Sequence, residues 1–321
     1  MRCIFCLQER RGTIEHVFPF AIGGRLTTDR VCEPCNSTLG TRVDAALSDN
    51  LLVRLRRSEL GLAGHSGKLP PMHEILLGKH KIAADPKRHV QVRFDEATGK
   101  MDIRALHHAS DIVMPDGTKV RRITVDERDK TEIPKIIQRE RKRHGLPPLS
   151  AEELAVETQK ATENVIAVEN PQVHMELSIN FAYLRHALIK IAYELAFLWL
   201  GESYLDDPSA AELRAAIGDP AIDSTDDIPG YIGTADECGA FKLWSADKLH
   251  HLGLANPVDH NNGIAIAVRI FNIYAAVVLV TKDDRKYLTG RDGHSRLRFL
   301  AIEPVSGNMA DVPLMQEFRR I

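Results

Sequence analysis

Apolar positions recur at helical spacing between Asn36 and about Arg57, where Leu39, Val43, Ala46, Leu47, Leu51 and Leu55 form one stripe. This predicts a single helical tail on the first 60 residues. Ala63 to Pro71 is rich in Gly and Pro and reads as a linker. Beyond it the period changes to two. Alternating runs at His89–Phe94, Met101–Leu106 and Lys119–Val125 predict strands, and the turn signals Thr98-Gly99 and Asp116-Gly117 imply antiparallel pairing. A charged helix follows over Pro134–Arg143, stopped by Pro147 and Pro148. Ser150 and Glu153 have the spacing of a capping box for the next helix. The segment Phe181–Leu200 is apolar on most faces and predicts a buried central helix ended by Gly201. Gly263–Val280 reads as one or two buried strands and Arg296–Ile302 as another. The pattern is that of an α+β protein with a small N-terminal unit (1–60), a linker (61–71) and a larger mixed α/β body (72–321).

Composition adds bounds. Of 321 residues, 44% are apolar and 27% charged, enough to bury a sizeable core. The 42 basic and 44 acidic residues nearly cancel, so any surface for nucleic acid must be local. The apolar run Phe181–Leu200 contains Arg185, His186, Lys190 and Glu194, which argues against a membrane span. Arg2 and Cys3 follow Met1 with no apolar stretch after them, so a cytosolic protein is expected.

Four of the five cysteines fall within the first 35 residues, as Cys3-x-x-Cys6 and Cys32-x-x-Cys35. Each pair can form a tight knuckle aiming two sulfurs at one point. Four thiolates around Zn²⁺ make a closed tetrahedral site, structural rather than catalytic. So short a unit buries little apolar surface and needs such a staple.

Between the knuckles lies Glu15-His16-Val17-Phe18-Pro19, followed by Ile22-Gly23-Gly24, and Asn36 directly follows the last cysteine. This combination, over about residues 3–41, resembles the four-cysteine branch of the HNH endonucleases (ββα-metal or His-Me finger nucleases). The resemblance implies a β-hairpin carrying Glu15 and His16 and a following helix carrying Asn36. It implies that Glu15 and Asn36 bind a catalytic Mg²⁺ or Mn²⁺, that His16 is the general base, and that Cys3, Cys6, Cys32 and Cys35 hold zinc. The substrate would be DNA, double-stranded, cut by phosphodiester hydrolysis to leave 5′-phosphate and 3′-hydroxyl ends. The residue types suit those roles: an imidazole can take a proton from water near neutral pH, and Mg²⁺ prefers a few oxygen ligands. Strand neighbours face opposite ways, so Glu15 and His16 divide the work between them. The family's middle Asn has no counterpart. Leu26-Thr27-Thr28-Asp29 stands there, with Thr27 or Thr28 available to brace the loop.

Arg10, Arg11, Arg25, Arg30 and Arg42 surround the motif and are candidate phosphate contacts. Residues 119–143 hold ten Lys/Arg against five Asp/Glu, and residues 202–237 hold ten Asp/Glu and one Arg. The first reads as a solvated face or a phosphate track, the second as a solvated or interaction surface, or a brake on DNA access. His107-His108, His250-His251 and His294 lack a companion motif and read as structural, as does the isolated Cys238. Trp199 and Trp244 read as core. The body would choose target or timing through DNA contact, ligand sensing, a homo-oligomer or partner proteins. Such modules on α/β bodies also occur in anti-phage defence. Two other readings remain: a non-catalytic zinc module binding nucleic acid or protein, and a nuclease acting on RNA.

Overall fold

The computed structural model describes residues 1–162, 172–174, 181–219, 221, 224–244, 249–258, 263–287 and 297–320. The chain divides into two compact units. One joins Met1–Pro70 to Ile179–Ile321, and the other is Pro71–Ser178. This differs from the division expected above. Residues 72–321 are not one body, because their C-terminal half folds with the N-terminal cysteine module.

The N-terminal module is a hairpin and a helix. Strand β1 (Gly12–His16) pairs antiparallel with β2 (Thr27–Cys32), with an irregularity in register between Thr13 and Glu15. The connection contains Gly23 at φ +88°, a left-handed conformation that suits glycine. Helix α1 (Glu33–Thr38) begins directly after β2, with Pro34 in its first turn, where a missing N–H costs nothing. It runs through a wide π-type turn at Leu39–Asp44 into α2 (Ala45–Ser48). The single helical tail expected from periodicity is interrupted here. Asn50 accepts a hydrogen bond from the Leu52 N–H and caps a separate helix, α3 (Leu51–Glu59). Leu39, Val43 and Leu47 are buried, whereas Leu55 is exposed. The stripe therefore changes face at the break.

The second unit is a small meander. β3 (Gly78–Ile82), β4 (Asp85–Asp95) and β5 (Lys100–Ala105) form an antiparallel sheet, followed by the hairpin β6 (His108–Val113) and β7 (Lys119–Thr124). The turns at Gly99 and Gly117 have positive φ, in accord with the dipeptides that predicted them. α4 (Ile133–Arg143) ends before Gly145, which is left-handed at φ +69°, so the helix stops ahead of the two prolines. The capping box of α5 (Ala151–Thr162) is formed in both directions: the Ser150 N–H donates to Glu153 and the Glu153 N–H to the Ser150 hydroxyl. β8 (Val173–His174) pairs with β3. Ile82, Val90 and Val92 make a modest core.

The remaining elements belong to the first unit. α6 (Phe181–Leu200) and α7 (Pro208–Gly218) precede strands β9 (Gly230–Thr234), β10 (His251–Val258), β11 (Gly263–Ile270), β12 (Tyr274–Thr281), β13 (Arg298–Ile302) and β14 (Met309–Pro313), then α8 (Leu314–Phe318). The strands form one antiparallel sheet in the order β14-β13-β10-β11-β12-β9. β11 is buried along its whole length, as expected of a central strand covered on both faces. α6 lies against β11 and β12 as the buried central helix. Gly201, at φ +88°, follows its last turn. The fold is α+β, with a cysteine-stapled ββα module built onto a mixed domain. Among the described residues no helix is long and apolar enough to cross a membrane.

The module shares one core with this domain. Ile4, Phe18, Ile22 and Val31 cluster with Leu188, Tyr193, Phe271 and Leu300. The Tyr193 hydroxyl donates to the Ile4 carbonyl. His251 is buried, stacks on Phe18 with ring centroids 5.5 Å apart, and hydrogen-bonds the Ile22 carbonyl at 2.8 Å. It is structural, as expected.

Candidate functional site

The sulfurs of Cys3, Cys6, Cys32 and Cys35 all lie within 4.8 Å of one another, positioned to bind a metal. Tetrahedral Zn–S bonds of ~2.3 Å require S–S edges of about 3.8 Å, and Cys6 and Cys32 stand 3.7 Å apart. Burial pushes the Cys3 thiol up, but the backbone N–H groups of Cys32, Cys6 and Phe5 outweigh it and bring the thiol to about 7. That N–H pattern favours a thiolate at Cys3, whereas burial first and the neighbouring sulfurs next push the Cys6 and Cys35 thiols up. Cys238 is buried elsewhere in the fold and takes no part.

Strand alternation separates Glu15 from His16. Ile14 is exposed, Glu15 buried and His16 half-buried. Glu15 turns inward to Lys190 of α6, with Oε1 2.5 Å from Nζ. The same ammonium reaches Asp44 at 3.1 Å and Glu194 at 3.4 Å. Burial raises the Glu15 carboxyl above its usual range, against the opposing pull of Lys190. His16 turns the other way, toward the ring of Phe20 at 5.3 Å and that of His65 at 5.9 Å. Burial, then the charges of His65, Lys190 and Arg25, hold the His16 imidazole below its ordinary value, which favours the neutral ring.

Asn36 faces the same strand from α1. Its side-chain N–H groups donate to the Ile14 carbonyl at 2.8 Å and to the Thr13 hydroxyl at 3.0 Å. Both N–H groups are thus committed to β1, and the amide oxygen remains as the acceptor to offer.

The five arginines diverge. Arg25 lies over Phe20, its guanidinium carbon 5.0 Å from the ring centroid, beside His16. Arg10 bonds the Gln8 side chain and Arg11 is exposed. Arg30 and Arg42 are engaged inside the unit. Arg30 donates to both oxygens of Glu202, and Arg42 donates to the Ile217 and Gly218 carbonyls at the end of α7. Arg2 adds an ion pair with Asp206. The acidic stretch 202–237 is therefore, in part, the surface on which the module's own arginines rest. Part of the basic run 119–143 is also paired within its unit. Arg121 meets Asp111 and Glu140, Arg128 meets Asp102 and Asp126, and Lys130 and Lys135 meet neighbouring glutamates. Of the other candidates, Trp199 packs in the core and Trp244, partly buried, packs against a second cluster, His107 and His108 join no metal cluster, and His294 lies outside the described residues.

Three residues escaped sequence reasoning: Lys190, Asp44 and His65. Only Lys190 left a signal, as a charge inside an otherwise apolar helix.

A hairpin followed by a helix, with a four-sulfur metal site at its base, defines a ββα-metal module. Residues 3–52 match the family model described as HNH endonuclease. No curated protein and no solved structure matches the chain. At the level of the family, the matched segment supports a nuclease-type enzyme acting on nucleic acid, with a metal-binding cysteine cluster.

Proposed function

We propose that the protein is a divalent-metal-dependent endonuclease that hydrolyses DNA phosphodiester bonds, with His16 as general base and Glu15 and Asn36 as holders of the catalytic metal. The observation that carries this reading is the tie between Asn36 and the strand bearing Glu15 and His16. It joins the helix bearing Asn36 to the strand that bears Glu15 and His16 on its two faces, and leaves an amide oxygen available.

In this reading His16 takes the proton of the attacking water, for which a neutral imidazole is required. Mg²⁺ or Mn²⁺, when bound, supplies Lewis acidity at the phosphate and the leaving 3′ oxygen. Asn36 offers its carbonyl and Glu15 its carboxylate, a hard oxygen set of the kind Mg²⁺ accepts. Arg25, held against Phe20 beside His16, is the arginine best placed for a phosphate contact. Zinc at the four cysteines joins the ends of hairpin and helix and takes no chemical part.

One observation favours a second reading. Glu15 is buried and ion-paired to Lys190, as a purely structural carboxylate would be. A non-catalytic zinc module for nucleic acid or protein would keep that pair and cut nothing. Plasmid nicking with Mg²⁺ or Mn²⁺, comparing wild type with His16→Ala, separates the two. A loss of at least about 100-fold is expected on removing a general base. Wild-type protein that leaves both DNA and RNA intact would support the second reading, and cleavage of RNA alone would reassign the substrate.

A further inference from the structure

Lys190 sits in the middle of α6, with no exposed surface. No other lysine among the described residues is buried. An ammonium removed from water is costly unless its hydrogen bonds are met. Here they are met by parts of the candidate site. Its three donors reach Glu15 Oε1 at 2.5 Å, the His16 backbone carbonyl at 3.0 Å and Asp44 Oδ2 at 3.3 Å.

One charged atom thus binds the side chain of one candidate catalytic residue and the backbone of the next. The His16 carbonyl lies immediately beside the Cα that aims the imidazole. The Glu15 carboxylate is held on the inner side of β1, with Asp44 brought in from the helix that follows Asn36. A structural ion pair would need only a carboxylate partner. Glu194, one turn along α6, is such a partner, 3.4 Å away, yet both its oxygens lack a hydrogen bond among the described residues. The lysine's hydrogen bonds go instead to the hairpin and to Asp44.

We propose that Lys190 is a positioning residue of the nuclease. It is supplied by a helix outside the matched segment, and it fixes the Glu15–His16 dipeptide in its working geometry. This rests on the reading of Glu15 and His16 given above. It makes the domain formed by residues 179–321 part of the catalytic apparatus rather than a carrier of it.

The test is a double-mutant cycle on plasmid cleavage by the full-length protein. Lys190→Met removes the ammonium at similar volume. Because it leaves Glu15, Asp44 and Glu194 without their shared cation, the pair Lys190→Met with Glu194→Met is prepared alongside it. The second change removes the carboxylate that lies outside the candidate site and so lowers the buried charge left unpaired. Circular dichroism and zinc content report the fold. Each change is then combined with Glu15→Gln, and kcat and KM for DNA are measured in Mn²⁺.

We expect kcat to fall about 10–100-fold, the usual cost of losing a partner that orients a ligand. KM should be unchanged, half-activation should need more Mn²⁺, and the further loss in the Glu15→Gln background should be smaller than the loss in wild type, since only the His16 contact is then left to lose. Groups that act as a unit show such non-additivity. Wild-type kcat in the folded double variant, or losses that multiply with those of Glu15→Gln, would overturn the proposal and leave Lys190 a structural residue. If His16→Ala and Glu15→Gln themselves keep full activity, the nuclease reading fails first, and that result is distinct from the failure of Lys190 alone.

Discussion

Gly23 tests whether the cysteine module and residues 179–321 form one body in solution. Its φ of +88° is unfavourable for a residue with a Cβ, by about 1–2 kcal/mol. An added methyl would also lie 2.4 Å from the Pro304 carbonyl oxygen and 2.6 to 2.7 Å from the Pro304 Cβ and Cα. Those atoms are backbone and ring and must retreat together, a kind of overpacking that costs about 1–3 kcal/mol. Gly23→Ala should therefore destabilise the first unit by about 2–5 kcal/mol. In urea this is a midpoint about 1–2 M lower, at slopes usual for domains. The assay is equilibrium unfolding followed by far-UV circular dichroism and tryptophan fluorescence, since Trp199 and Trp244 both lie in this unit. Gly40→Ala is the control. Nothing lies within 4 Å of its added methyl, its position is exposed and helical, and it should gain up to about 1 kcal/mol. A Gly23→Ala midpoint equal to wild type would show that Pro304 does not rest on the hairpin, and the single-body description would fall.

Three further outcomes follow from the same geometry. Purified protein should carry one zinc per chain by elemental analysis, and removing it should lower the melting temperature by at least about 10 °C, because metal binding supplies folding energy to such modules; an unchanged melting curve would contradict this. The acid limb of the cleavage profile should fall to half-maximum below pH 6.5, because burial and nearby cations lower the His16 imidazole and a base must be neutral to act. His65→Ala removes one of those cations and should move the limb upward, and a limb at or above 6.5 in wild type would refute the assignment. Arg42→Ala should cost stability of about 0.5–2 kcal/mol through the exposed carbonyls of α7, with no change in DNA affinity by gel shift; weakened DNA binding would restore Arg42 to the phosphate surface.

The elements were largely legible because each carries its own local signal. The run Phe181–Leu200 reads as a helix from its apolar character on most faces and the Gly201 that follows, and the spacing of Ser150 and Glu153 announces α5, whose reciprocal hydrogen bonds are formed. The break at Asn50 was hidden because the apolar spacing on either side is compatible with one continuous helix. The motif was legible because Glu15, His16, Asn36 and the cysteines fall within a short span. What surrounds it was not, since Lys190 meets Glu15 across 175 positions and no periodicity encodes such a pairing. The partners of Arg30 and Arg42 were hidden for a related reason. A guanidinium near a phosphate site and one that stops a helix look alike until its acceptor is known. The unit boundary was hidden too, because Ala63–Pro71 does look like a linker. It leads out to an insertion, and the chain later returns to the fold it left.

That return sets an order of events at the ribosome. Cys35 and Asn36 emerge early, and zinc can close the knuckles on them. The ammonium that grips Glu15 is synthesised 175 residues after Glu15 itself, about nine to thirty-five seconds at ordinary elongation rates. Through most of that interval the four cysteines are available to a metal, but the nascent hairpin has neither its sheet nor its lysine. If Lys190 positions the site as proposed, the growing chain carries an unarmed blade past the nucleic acids of the translation machinery, and the catalytic geometry forms only once α6 has left the tunnel.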